Sequence, residues 1–228
     1  MALCRRHGLP EVAADRFRRL LAALAAEPDP PTTGVDPQQA LPAHIADSLA
    51  GLELGAVRES EAIADVGAGA GFPGLALAVA LPSACVDLIE SVARKRATIE
   101  RLASAAGATN ARAIPARAED WARGEGRERY AAVTARAVAP LAVLCEYAAP
   151  LLAGAGTLVC WKGARRPDEE RAGDRAAAML GLRPVAPVRV EPFPGAHSRH
   201  LHPFEKVAPT PARFPRRAGV AAKRPLAA

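Results

Sequence analysis

Apolar and polar positions alternate in three distinct rhythms along this chain. Residues 11–26 place Val12, Phe17, Leu20, Leu21 and Leu24 at near-helical spacing, and the Pro28-Asp29-Pro30-Pro31 run that follows breaks the helix. A second short helix is expected around 42–52. From there short apolar runs with strand character fall near 62–66, 85–90, 111–115, 131–135 and 156–161. Helical patterns near 73–81, 92–106, 141–152 and 168–181 separate them. This alternation predicts an α/β domain with a doubly wound, mostly parallel sheet. Two further apolar stretches, 185–190 and 200–207, have no helix between them and predict a closing hairpin with an antiparallel edge strand. The expected organisation is a small N-terminal helical appendage and linker (1–55), an α/β domain (56–207) and a basic C-terminal tail (208–228).

The turn after the first strand carries the chemistry. Residues 63–74 read Ile-Ala-Asp-Val-Gly-Ala-Gly-Ala-Gly-Phe-Pro-Gly. Gly67, Gly69 and Gly71 remove the Cβ atoms that would keep the backbone from turning tightly against a ligand, and Pro73 is preset for a first helical turn. Two cofactors fit these letters. Gly69-x-Gly71-x-x-Gly74 satisfies the dinucleotide pattern, in which a helix N-terminus receives a pyrophosphate. Asp65-x-Gly67-x-Gly69-x-Gly71 satisfies the acidic-glycine pattern of S-adenosylmethionine methyltransferases. Asp65 separates them on charge: a carboxylate repels a pyrophosphate and suits an ammonium and a sulfonium. Glu90 ends the second strand about 20 residues past the glycines, where a ribose-binding carboxylate belongs; both cofactors carry a ribose.

Composition narrows the classes. With 228 residues, half of them apolar, the chain supports one domain with a sizeable core. No apolar stretch is long enough to span a bilayer and no secretory signal is visible, so a cytoplasmic protein with no membrane partner is expected. Cys4, Cys85, Cys145 and Cys160 lack ligand spacing, so neither a metal nor a disulfide is expected. The charge is +6, and the six cations Lys206, Arg213, Arg216, Arg217, Lys223 and Arg224 stand in a C-terminal stretch without an acid. Residues 1–205 are therefore net neutral. A neutral body with a basic tail points to a polyanion, since each phosphate neutralised releases a counterion.

Three segments together resemble a family. They are 65–74 with its Phe72-Pro73-Gly74 ending, His44-Ile45-Ala46-Asp47-Ser48 upstream, and Lys206 through Arg216-Arg217-x-Gly219 to Lys223-x-Pro225-Leu226. They look like the small-subunit ribosomal RNA guanine-N7 methyltransferases, also called glucose-inhibited division protein B. The resemblance, which runs from about His44 to Leu226, implies a Rossmann-like methyltransferase fold and S-adenosylmethionine as donor. It also implies N7 of a guanine in the decoding-region loop of 16S ribosomal RNA as acceptor, and hence the small ribosomal subunit as partner of a monomer. The residues it implies around the cofactor are Gly67, Phe72, Ala118, Glu119 and Arg136, with Asp65, Gly69 and Glu90 added by the reading of the loop. Arg136 and Lys162, past the fourth and fifth strands, are expected to orient the RNA.

Guanine N7 carries a free lone pair, so methylation there needs alignment and no general base. The sequence shows no Ser/His/Asp arrangement or paired carboxylates. The chain departs from the family at 26–34, where a tryptophan and an asparagine-leucine-threonine stretch are missing. His44 and Asp47, three apart, share a helix face and fit a mutual hydrogen bond as well as a substrate contact. A methyltransferase acting on a small molecule or protein is the alternative, and an NAD-binding or non-catalytic α/β protein is a third reading.

Overall fold

The fold is built on a sheet that is parallel where helices connect its strands and antiparallel only at one edge. The computed structural model describes residues 2–28 and 40–226; most of the expected linker, and most of the divergent stretch 26–34, lies outside them. The strands are β1 (Ala62–Val66), β2 (Cys85–Ile89), β3 (Ala111–Ile114), β4 (Tyr130–Arg136), β5 (Leu152–Lys162), β6 (Leu182–Pro184), β7 (Val188–Val190) and β8 (Arg199–Lys206). Their order is β3-β2-β1-β4-β5-β8-β6, with β7 also pairing β8. β1 through β5 are parallel, and β8 runs antiparallel to β5, β6 and β7. The chain reverses direction across the sheet between β1 and β4, where open α/β sheets form crevices at their carboxyl ends.

Helices cover both faces. They are α1 (Ala2–His7), α2 (Glu11–Ala25), α3 (Gly55–Arg58), α4 (Gly74–Ala80), α5 (Ala93–Ala106), α6 (Ala118–Trp121), α7 (Leu141–Ala148), α8 (Pro167–Met179) and α9 (Val220–Lys223). Every residue of α4, Gly-Leu-Ala-Leu-Ala-Val-Ala, is buried. A helix apolar on all sides must be enclosed on all sides. The N-terminal appendage does the enclosing: Phe17, Leu20 and Leu24 of α2 share one core with Leu75, Leu77 and Phe72. Between α2 and α3 the expected helix is an irregular one, a π-helical turn Leu41–Ala46 running through Asp47–Leu49 into a tight turn Ala50–Glu53. Pro42, at the start, lacks the N–H that regular helix pairing uses. The opposite face of the sheet holds a second core around Tyr130, Leu144, Leu158, Leu180 and Phe204.

The basic C-terminal stretch packs against the domain. Phe214 joins the second core and Ala221 is buried. Arg216 pairs through Nε, at 2.8 Å, with Glu146, a carboxylate on α7 with no solvent exposure. Lys206 is also internal, donating to the carbonyls of Ala149 and Leu152 at 3.0 and 2.7 Å. Arg213, Arg217, Lys223 and Arg224 remain exposed.

Candidate active site

Two cavities open at the carboxyl edge of the sheet, and the segment 137–139 lines both. The first, about 380 Å³, is built around the glycine loop. Gly67 and Ala68 turn off β1 by donating their N–H groups to the Ile89 carbonyl at 2.9 and 3.2 Å. Gly67 has φ +66, and a Cβ there would lie 2.8 Å from Cγ2 of Val138. Gly71, at φ +98, would drive a side chain into Leu75. Glu90 accepts from the N–H of Gly69 at 3.1 Å and of Val92 at 2.8 Å. Each carboxylate oxygen can accept again, so the group is pinned in place and still open to hydroxyl donors.

Gly67, Glu90, Ala118 and Glu119 face this cavity together with the branched apolar side chains of Ile89 and Val138. Glu119 is itself engaged, accepting the Gly219 N–H at 2.8 Å, so the C-terminal stretch forms one wall. Ala222 lines the same cavity. Asp65 does not. Its carboxylate is buried, accepting the N–H of Gly74 at 2.9 Å and the Thr134 hydroxyl at 3.0 Å. The expectation that Asp65 meets the positive charges of a ligand is thus replaced by a different role: it ties the start of α4 to β4. Burial pushes its pKa up to about 6 despite the two hydrogen bonds and the nearby Arg136 cation. Gly69 stands behind Glu90 as its donor, and Phe72, buried, lines neither cavity and packs behind His44 of the second.

That second cavity, about 570 Å³, is walled by His44, Asp47, Arg136, Trp161, Lys162 and Arg199 among others. His44 stacks on Phe72 with ring centroids 4.8 Å apart, and the Arg136 guanidinium lies 6.0 Å from the Phe72 ring. Arg136 donates to Oδ2 of Asp47 at 2.8 Å and to the Ala43 carbonyl at 3.2 Å. Trp161 holds the main-chain oxygen of Asp47 at 2.8 Å through its indole N–H. Lys162 bonds the Ala139 carbonyl at 2.9 Å and pairs with Glu169 at 2.6 Å. The two cations expected to face a substrate are therefore both anchored within the protein at the cavity wall.

His44 and Asp47 do not bond to each other; the carboxylate belongs to Arg136. Burial, reinforced by the Arg136 charge, lowers the His44 pKa to about 4 and keeps the ring neutral at physiological pH. Arg199 and Val138 were not singled out from the sequence. Nothing in the local pattern marks Arg199 on β8, and Val138 became visible only because Gly67 makes room for it.

Comparison with known proteins gives a family and a fold. The sequence profile of the family described as GidB, rRNA small subunit methyltransferase G, matches residues 32–201. A protein named ribosomal RNA small subunit methyltransferase G from Rubrobacter xylanophilus is 41% identical over 195 residues, covering 84% of this chain and 75% of its own. A protein of the same name from Chloroflexus aggregans is 42% identical over 165 residues, covering 71% and 68%. Among solved structures, a SAM-dependent O-methyltransferase from Thermotoga maritima superposes with a TM-score of 0.56 at 18% identity, covering 83% of this chain and 71% of that one. This last likeness is one of fold.

Proposed function

The chain belongs to the rRNA small subunit methyltransferase G family, and from that premise we propose that it transfers the methyl group of S-adenosylmethionine to N7 of a guanine in the decoding-region loop of 16S ribosomal RNA. It does so as a cytoplasmic monomer on RNA of the small subunit. The observation that carries the reading is the pair of cavities meeting at 137–139, one shaped by backbone and one by charged side chains. Among the described residues no helix is long and apolar enough to cross a membrane.

The residues of the first cavity fit the cofactor. Glu90 offers free lone pairs to ribose hydroxyls, the missing Cβ of Gly67 lets Val138 close against the loop, and Ile89, Ala118 and Val138 give an apolar wall for a planar base. When bound, S-adenosylmethionine supplies an electrophilic methyl on a sulfonium.

The protein's task is then to align a lone pair that guanine already carries. Arg136, Lys162 and Arg199 give the second cavity the cationic character that a phosphate-bearing acceptor needs. Arg136 acts through Asp47 and the 41–46 turn, and Lys162 through the Ala139 carbonyl, so both orient the acceptor by holding the wall it rests on. His44, neutral and stacked, is no proton carrier at pH 7, and the reaction asks for none.

The direct test is to map N7-methylguanosine in ribosomal RNA from cells with and without the protein. Loss of the modification at the decoding-region guanine is expected in its absence; an unchanged pattern overturns the proposal.

A further inference from the structure

N7 is common to guanine and adenine, so a methyltransferase that acts at N7 must read the base elsewhere. Beside N7 itself O6 faces the 6-amino group of adenine, and the Watson–Crick edge tells the two bases apart a second time. Guanine presents two donors there, N1–H and the exocyclic amino group, where adenine presents an acceptor at N1. A carboxylate, which only accepts, is the side chain that matches guanine and rejects adenine.

Within the second cavity the carboxylate is Asp47. It is held on two sides, at its main-chain oxygen by Trp161 and at Oδ2 by Arg136. Oδ1 has no hydrogen-bond partner, although it is buried. The group nearest to it by charge is Arg199, whose Nε lies 3.4 Å away on a side chain that is 46% exposed. That contact is an ion pair too loose in geometry to be a hydrogen bond. Its chemistry is informative, because the N1–C2–N2 edge of guanine is itself a guanidine fragment. Arg199 offers Oδ1 the same kind of N–H group that the base would bring, from a side chain free enough to swing aside.

We propose that Asp47 is the specificity-determining residue of the acceptor cavity, reading N1–H and the 2-amino group of the target guanine through Oδ1 once Arg199 is displaced. The two edges of a purine face opposite ways, so a base held at its Watson–Crick edge by Asp47 directs N7 away from it, toward the boundary at 137–139 with the first cavity. This assignment rests on the function proposed above.

The test uses reconstituted small subunits in which the target nucleotide is guanosine or inosine. Inosine keeps N7 and N1–H and lacks only the 2-amino group. The wild-type protein is expected to methylate the inosine substrate with kcat/KM lower by about tenfold or more, the value of one lost good contact to a base edge. Asp47→Asn keeps the shape and is expected to bind S-adenosylmethionine within threefold of wild type while treating the two substrates within twofold of each other. Equal wild-type rates on guanosine and inosine overturn the assignment, with no variant needed. So does an Asp47→Asn protein that is slower on both but keeps the wild-type ratio, since that is what a purely structural role produces. A wild-type protein that forms no N7-methylguanosine on the guanosine substrate overturns instead the function on which the assignment rests.

Discussion

The two cavities lie side by side and are made of different material. The first is drawn by backbone: three glycines with positive φ, a proline, and N–H groups donated to Ile89 and Glu90. The second is drawn by side chains from distant parts of the chain, with Arg136 reaching Asp47 across 89 positions and Trp161 reaching it across 114. A backbone site restricts residue type at each position. A side-chain site restricts only which pairs of residues meet, so charge balance rather than conformation holds it together.

The sharpest way to break this contrast is Arg136→Ala. It leaves the Asp47 carboxylate buried with its main partner gone, and should cost about 3–5 kcal/mol of unfolding free energy. At a temperature where the variant is still folded, RNA methylation should fall at least tenfold and S-adenosylmethionine affinity by less, since Arg136, expected at the cofactor as well, lines the second cavity and not the first; titration calorimetry and methylation kinetics measure the two. A variant with wild-type stability and methylation would show that the ion pair does not organise the acceptor cavity.

The next effect belongs to Asp65, whose pKa of about 6 lies above the usual 3.8. An acid with a raised folded-state pKa favours the native state while it is protonated, so its contribution is present below about pH 4 and fades as pH rises through 6. The loss is about 3 kcal/mol for a shift of roughly two units. Asp65→Asn keeps an acceptor for Gly74 and a donor for Thr134, and the difference between its stability curve and that of wild type should grow between pH 4 and 7. A difference that stays flat over that range would mean that Asp65 is not buried as an acid.

Gly71→Ala should cost about 2 kcal/mol, because the φ of +98 strains any side chain and Leu75 must move. Its signature is weakened S-adenosylmethionine binding with RNA binding retained, the inverse of Arg136→Ala. Equal losses of both ligands would dissolve the distinction between the two sites. The smallest effect concerns Lys223 and Arg224. Replacing both with Ala should lower the slope of log binding constant against log salt for the RNA by roughly 1.4–1.8, as the counterion release of two phosphate contacts requires. An unaltered slope would place the RNA elsewhere.

The same difference in material explains what could be read from the chain. Gly67, Gly71 and Glu90 were legible because each does something that few residues can do at a strand end or in a tight turn. The five parallel strands were legible because residues such as Ile63, Val86 and Val133 are buried in an enclosed sheet. Asp65 was misread since an acid at that position is compatible with facing a ligand or turning inward, and only the positions of Gly74 and Thr134 decide. β5 begins at Leu152 and α7 stops at Ala148, against a helix expected to reach 152; Pro150 marks the boundary in the letters, and the expected helix ran through it because the apolar run continues on both sides. β6 and α1, at three and six residues, were too short to show a period.

The packing of the C-terminal stretch was not read from the sequence because its charge was counted without partners. One signal was available: Glu146 is the lone acid in Leu-Ala-Val-Leu-Cys-Glu-Tyr-Ala, a helix apolar enough to be buried, and a buried carboxylate demands a cation from somewhere. Arg216 meets that demand through two guanidinium hydrogen bonds.

That packing has a consequence in time. Gly219 and Ala222 complete the wall over Glu119, and Phe214 anchors the segment that carries them, so the cofactor cavity waits for residues that the ribosome adds after all of its other walls. Folding that proceeds from the N-terminus during synthesis can form the glycine loop and the parallel strands before 214–222 have been added. A nascent chain that already holds its glycine loop therefore lacks one wall of the donor cavity until 214–222 have been made and have packed against Glu119.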